Sequence, residues 1–184
     1  MTSTSTAALL PEPADALRVR PGRGLTGTLV PPGDKSISHR SFLLATLATG
    51  VTEVRAALET GDCAHSMAVA EALGCRVWRE GDTTLVKSPG LRALSEPAAE
   101  IDCGRSGTTM RLLCGLLAGR PFPSFLTADP QLARRPMGRV LEPLSEMGAR
   151  YLARAGGTRA PIAFAGAGTQ GSPLHGHRHV LKIA

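Results

Sequence analysis

The 184-residue chain is 42% hydrophobic, 3% aromatic and 20% charged, and 21 Lys and Arg outnumber 15 Asp and Glu for a net charge of +6. Its apolar content excludes general disorder, and no apolar run approaches the about 18 residues that a membrane-spanning helix needs. The basic excess admits nucleic acid or a small anion, but the cations are dispersed and there are six aromatics in all, so neither a nucleic-acid partner nor a membrane is expected.

Residues 1–16 are rich in Ser, Thr and Ala, lack a basic start and an apolar stretch of signal-peptide length, and read as a frayed tail. A strand is predicted over 26–30. A helix over 36–49 follows, with Ile37, Phe42, Leu43, Leu44 and Leu47 as its apolar positions and Gly50 as its stop. Next come a strand over 51–58, a helix over 63–73 with Asp62 placed to cap it, and strands over 75–79 and 83–87. The order is β-α-β-α-β-β. It recurs as a strand over 99–103, a helix over 108–117 ending at Gly119, a strand over 124–127, a helix over 137–147, and strands over 150–153 and 161–164.

The recurrence is also visible in the residues. Glu71-Ala-Leu-Gly74-Cys-Arg-Val-Trp78 and Glu146-Met-Gly148-Ala-Arg-Tyr-Leu152 each close a helix with Gly before a strand, and Gly74 and Gly148 lie 74 positions apart. The expected fold class is therefore α/β (α+β), with unit one over about 26–90, unit two over about 99–166 and the start of a third over 167–184. Units of this kind leave an apolar helix pair and a sheet face that must pack against a neighbour.

Cys63, Cys75, Cys103 and Cys114 form no C-x-x-C pair and have no His at zinc-ligand spacing, which points to reduced, buried thiols in a cytoplasmic protein. His175, His177 and His179 alternate and would share one strand face. With no acidic or Cys ligand near them in sequence, they read as a solvated face, and no metal site is expected.

Three clusters carry candidate chemistry. Val30-Pro-Pro-Gly33-Asp-Lys35-Ser36-Ile-Ser38-His-Arg40 joins a strand to a helix start, where first-turn N–H groups and the positive end of the helix dipole favour an anion. A Lys there opposes the dipole unless an anion lies between them. Ser36 and Arg40, four apart, share a face; a Ser cap with solvated Lys and Arg is the alternative. The spacing is not that of a P-loop. The second cluster, Asp102-Cys-Gly104-Arg105-Ser106-Gly107-Thr108-Thr109-Met110-Arg111, opens the equivalent helix. Gly107 permits close approach of a ligand, and Ser106, Thr108 and Thr109 offer hydroxyls. In the third, Pro136 holds Arg135 out of helical geometry, suiting its guanidinium to planar recognition of phosphate or carboxylate, while Arg134 and Arg139 read as surface charge.

Together, Pro32-Gly33-Asp34-Lys35-Ser36-Ile37-Ser38-His39-Arg40, Gly107-Thr108-Thr109-Met110-Arg111 and Arg135-Pro136-Met137-Gly138 resemble three signatures of the 3-phosphoshikimate 1-carboxyvinyltransferase (5-enolpyruvylshikimate-3-phosphate synthase) family. The resemblance implies the enolpyruvate transferase fold, an inside-out α/β barrel, here incomplete. It implies transfer of the enolpyruvyl group of phosphoenolpyruvate to the 5-hydroxyl of shikimate 3-phosphate, with no metal or organic cofactor.

By the same resemblance Lys35 is catalytic and contacts both substrates. Ser36 and Arg40 hold shikimate 3-phosphate, and the Gly107 backbone and Arg135 hold phosphoenolpyruvate. Arg105, Thr108 and Arg111 are secondary candidates. Arg105 departs from the Asn common at its place, which would add positive charge there. Family members continue into a second domain that supplies the proton-transfer acid and further cations, so the expectation is a fragment inactive alone, and a monomer at full length. A non-catalytic phosphometabolite-binding module and a basic RNA-binding repeat domain are the competing readings.

Overall fold

The computed structural model describes residues 24, 26–166 and 174–180. The expected tail over 1–16 and parts of the expected third unit, 167–173 and 181–184, lie outside the described residues. Residues 1–31 and 32–184 form separate units, and the helices, strands and core all belong to the second.

Its elements are α1 (Lys35–Leu47), β1 (Gly50–Arg55), α2 (Asp62–Ala72), β2 (Arg76–Glu80), β3 (Thr83–Ser88), β4 (Ile101–Asp102), α3 (Gly107–Leu117), β5 (Ser124–Thr127), α4 (Pro130–Ala133), α5 (Gly138–Glu146), β6 (Tyr151–Ala153), α6 (Arg154–Gly157) and β7 (Arg159–Phe164). Three short pieces escape the periodicity: α4, α6 and a 3-10 turn at Leu91–Ala93. Each is too brief to show a helical period.

Two sheets form, in the orders β1-β3-β2 and β4-β5-β7-β6. All pairings are antiparallel except the parallel β4·β5 contact, in which Ile101 faces Leu126. The second sheet repeats the order of the first with one strand added at its edge. The strand expected over 26–30 is not formed. Gly27 sits at φ +130°, outside the range of a regular strand.

The helices lie between the sheets' inner faces and one another: α1 packs on α2, α3 and β3, while α3 also meets α2 and α5. One continuous core results, running from Phe42, Leu73 and Val86 through Met110, Leu113 and Leu117 to Leu126, Leu141 and Ile162. The outer sheet faces remain open, with Val51, Phe125 and Leu152 exposed. This arrangement answers the expectation that one repeat cannot bury itself, since helices of both repeats fill the same interior.

α1 corrects the apolar face read from the sequence. Phe42 and Leu43 are buried, but Ile37 and Leu44 are 67% and 64% exposed. The buried stripe instead runs through Ser38, His39, Ala45 and Thr46, because a polar network centred on His39 occupies the inner side of the helix.

Candidate functional site

The first cluster folds around a close backbone approach. A Cβ on Gly33 would lie 2.2 Å from the Ala56 carbonyl oxygen and 2.8 Å from the Leu58 nitrogen, so only glycine fits against this loop. The crossing is fastened by Ser38, whose hydroxyl donates to the Asp34 carbonyl at 2.7 Å and accepts from the Leu58 N–H at 2.9 Å. Asp34 caps α1, its Oδ1 accepting from the Ile37 N–H at 2.7 Å. The cap is therefore not Ser36, whose side chain is left in the exposed first turn.

Lys35 is the first residue of α1, and its ammonium pairs with the Asp62 carboxylate. The sequence places Asp62 just before α2 as its cap. It is instead the first helical residue, with Gly61 at the cap position, so its carboxylate sits in the first turn where the dipole favours it and reaches across to Lys35. Arg40 lies one turn along α1 and donates from Nη1 to the Ser36 carbonyl at 2.9 Å.

Beneath this surface lies a buried polar network that joins α1, α2 and α3. His39 Nδ1 shares a hydrogen bond with Ser66 Oγ at 2.8 Å and lies 3.3 Å from Thr109 Oγ1, while Nε2 is 3.5 Å from Ser106 Oγ. Ser66 and Thr109 hydroxyls meet at 2.8 Å, and those of Ser106 and Thr109 at 2.7 Å. Burial, reinforced by the charge of Lys35, holds the His39 imidazole below its ordinary pKa. A neutral ring is the form that can both donate and accept among hydroxyls.

The network corrects the second cluster. Ser106 caps α3 by accepting from the Thr109 N–H at 3.1 Å, and both side chains are buried. Their hydroxyls are used internally, which leaves half-buried Thr108 as the accessible hydroxyl of the expected three. A Cβ on Gly107 would stand 2.6 Å from Arg111 Nη1, so the group packed over Gly107 is the Arg111 guanidinium. Arg111 donates to the Gly107 carbonyl and to the Pro136 carbonyl, both at 3.3 Å. Arg135, in the exposed bend between α4 and α5, is thus held next to a carbonyl tied to α3.

Arg105 is engaged differently. Its Nε donates to Asp129 Oδ2 at 2.9 Å, and that hydrogen bond, with further donation from the backbone of Leu132 and Gln131, holds the Asp129 carboxyl below its ordinary pKa. The extra positive charge inferred from Arg105 is partnered by Asp129. Arg134 and Arg139 are exposed, as expected.

A path of contacts therefore runs from Lys35 and Arg40 through His39 and Ser106 to Gly107, and from Arg111 to the bend carrying Arg135. Residues 19–178 match the family model described as EPSP synthase (3-phosphoshikimate 1-carboxyvinyltransferase). The chain belongs to this family. A 3-phosphoshikimate 1-carboxyvinyltransferase of Pelobacter propionicus is 51% identical over 152 residues, covering 83% of this chain and 35% of that protein. One of Acidithiobacillus ferrooxidans is 46% identical over 167 residues, covering 90% and 37%. Among solved structures, an EPSP synthase from Acinetobacter baumannii superposes with a TM-score of 0.79 at 33% identity, covering 86% of this chain and 35% of that one. The chain thus spans about a third of the length of the relatives it matches.

Within this EPSP synthase family chain, four contributors escaped sequence reasoning: Asp62 as the partner of Lys35, and His39, Ser66 and Thr109 as a buried network. A His and two hydroxyls at buried helical positions are a faint signal, visible only once α1, α2 and α3 are known to touch. The histidines also need correction. Residues 174–180 form no strand, and Glu146, distant in sequence, lies against His177 and His179.

Proposed function

We propose that this chain carries the part of an enolpyruvyl transferase site that engages shikimate 3-phosphate and phosphoenolpyruvate. The observation that carries the reading is the placement of Lys35 on the first turn of a capped helix, with Arg40 one turn on and the Gly107 helix start joined to it through His39 and Ser106. In this reading the 3-phosphate lies against Ser36 and Arg40, four apart on the exposed start of α1. Lys35 exchanges Asp62 for substrate oxygens, and Arg135 and the Gly107 helix start receive phosphoenolpyruvate, with Thr108 and Arg111 beside it.

The reaction is addition followed by elimination. The 5-hydroxyl oxygen bonds to C2 of phosphoenolpyruvate as it loses its proton, and C3 gains a proton. Phosphate then leaves C2 as C3 gives a proton back, restoring the double bond. Fixed cations and helix dipoles lower the cost of bringing two polyanions together, and their preorganisation counts most where water is excluded. The proton-transfer acid belongs, in this reading, to the two thirds of the relatives' length that this chain does not match.

Small anions rather than nucleic acid are the proposed partners, supported by the engagement of Lys35 and Arg105 with specific carboxylates instead of an open basic stripe. Four free, buried cysteines support a reducing compartment, the cytoplasm.

A chimera tests the proposal. Residues 19–178 replace the matching segment of the Pelobacter propionicus relative, and phosphate release is followed with both substrates present. The chimera is expected to turn over, and Lys35→Met to lower kcat/KM by at least about 100-fold, the scale of losing one preorganised charge in a dry site. A folded chimera without activity, or a Lys35→Met chimera as active as its parent, would overturn it.

A further inference from the structure

The carboxyl end of α5 gathers three metal-ligating side chains that the proposed reaction does not use. Glu146, the last residue of α5, presents Oε2 at 2.7 Å from His179 Nδ1 and 3.1 Å from His177 Nε2. The three ligand atoms lie within 4.8 Å of one another. The histidine segment is anchored on that helix end: the His175 N–H donates to the Met147 carbonyl at 2.9 Å, and Leu174 packs on the core and beside Gly119. Two imidazoles and a carboxylate are thus brought together from segments far apart in sequence.

A second observation concerns charge. A carboxylate at the C-terminus of a nine-residue helix sits at the negative end of the dipole, which disfavours it. A cation held between Glu146 and the imidazoles is attracted by carboxylate and helix end alike. Four-coordinate zinc with bonds of about 2.0–2.2 Å sets donor-donor edges of roughly 3.3–3.6 Å, which the two Glu146 edges of 2.7 and 3.1 Å approach from below, with all three donor atoms within 4.8 Å of one another. An N2O donor set favours a borderline cation over Mg2+ or Ca2+, whose ligands are oxygens. The exposed setting leaves a fourth position to water.

We propose that Glu146, His177 and His179 bind one zinc-class divalent cation, which staples the 174–180 segment to the end of α5. The site shares no residue with the cluster around Lys35 and does not depend on the proposed reaction. The competing soft donors are buried thiols, and burial pushes Cys103 and Cys114 up to about 12, so neither offers a thiolate in the folded chain.

The test uses the full 184-residue chain, stripped with chelator and titrated with ZnCl2 by calorimetry and with CoCl2 by absorption. One ion per chain is expected, with affinity reduced at least about tenfold in the His177→Ala/His179→Ala variant and in Glu146→Gln, and unchanged in His175→Ala. Zinc is also expected to slow amide exchange across residues 174–180. Absence of binding, equal affinity in the triad variants, equal loss in His175→Ala, or a cobalt–thiolate charge-transfer band would each overturn the proposal.

Discussion

The helix starts of α1 and α3 occupy equivalent places in two copies of one topology, and they are built in opposite ways. The start of α1 is exposed, capped by Asp34, and carries Lys35, Ser36 and Arg40 outward. That of α3 is buried, capped by Ser106, and offers a side-chain-free residue, Gly107, roofed by Arg111. A repeated backbone therefore need not repeat its chemistry. One copy presents charge, the other presents backbone, and the His39 network joins them.

The largest expected effect tests whether the copies are energetically one body. Leu73 and Leu141 are both fully buried in the common core, so Leu73→Ala and Leu141→Ala should each cost about 2–5 kcal/mol. Both should shift the same single urea transition, read by circular dichroism. Two separate transitions, each sensitive to one variant, would show that the copies unfold independently.

A smaller effect separates the two glycines. At Gly33 the new Cβ meets backbone, so Gly33→Ala should destabilise by about 1–3 kcal/mol, the scale of overpacking. At Gly107 it meets the tip of the Arg111 side chain, which can swing away, and Ala is a better helix former than Gly. Gly107→Ala should therefore leave the melting temperature nearly unchanged while releasing Arg111 from Pro136. Equal losses in the two variants would erase the contrast drawn between the two helix starts.

The smallest effect is the pH response of the link between them. Because the folded pKa of His39 lies below its unfolded value, the unfolded chain binds more protons as the pH falls below about 6.5. His39 therefore contributes a loss of stability as the pH falls from about 6.5 toward its folded pKa, and none of this loss above that window. Urea midpoints measured between pH 7.5 and 5.5 should fall less in His39→Gln, which keeps a donor and an acceptor but does not titrate. An identical pH slope in both proteins would place the titration elsewhere.

Much of the fold is legible in the sequence because its signals are local. The strand at Ser124–Thr127 matches its expected bounds to the residue, and α1, α2, α3 and α5 lie within a few residues of theirs. The β-α-β-α-β-β order, present in the second unit and lacking only its first strand in the first, follows from Gly stops and from the two segments around Gly74 and Gly148. The strand expected over 26–30 fails because alternation and β-propensity do not reveal whether a pairing partner is at hand. Around the candidate site, the cationic residues are visible as motifs, whereas their partners are not. In sequence Asp62 looks like a cap, Ser106 and Thr109 look like free hydroxyls, and the histidines look unaccompanied.

The sequence by itself determined the alternation of strands and helices, the breaks between them, and the placement of Lys35 and Gly107 at helix starts, of Arg40 one turn into α1 and of Arg135 between helices. Hydrophobic period, capping chemistry and glycine conformation act over a few residues and can be read without the rest of the molecule. Only the tertiary structure decided that Lys35 meets Asp62, that His39 is sealed among Ser66, Ser106 and Thr109, and that Glu146 faces His177 and His179. Those pairings span long stretches of chain. They exist because burying a shared core presses the helices together, and polar groups trapped at the contacts must then satisfy one another.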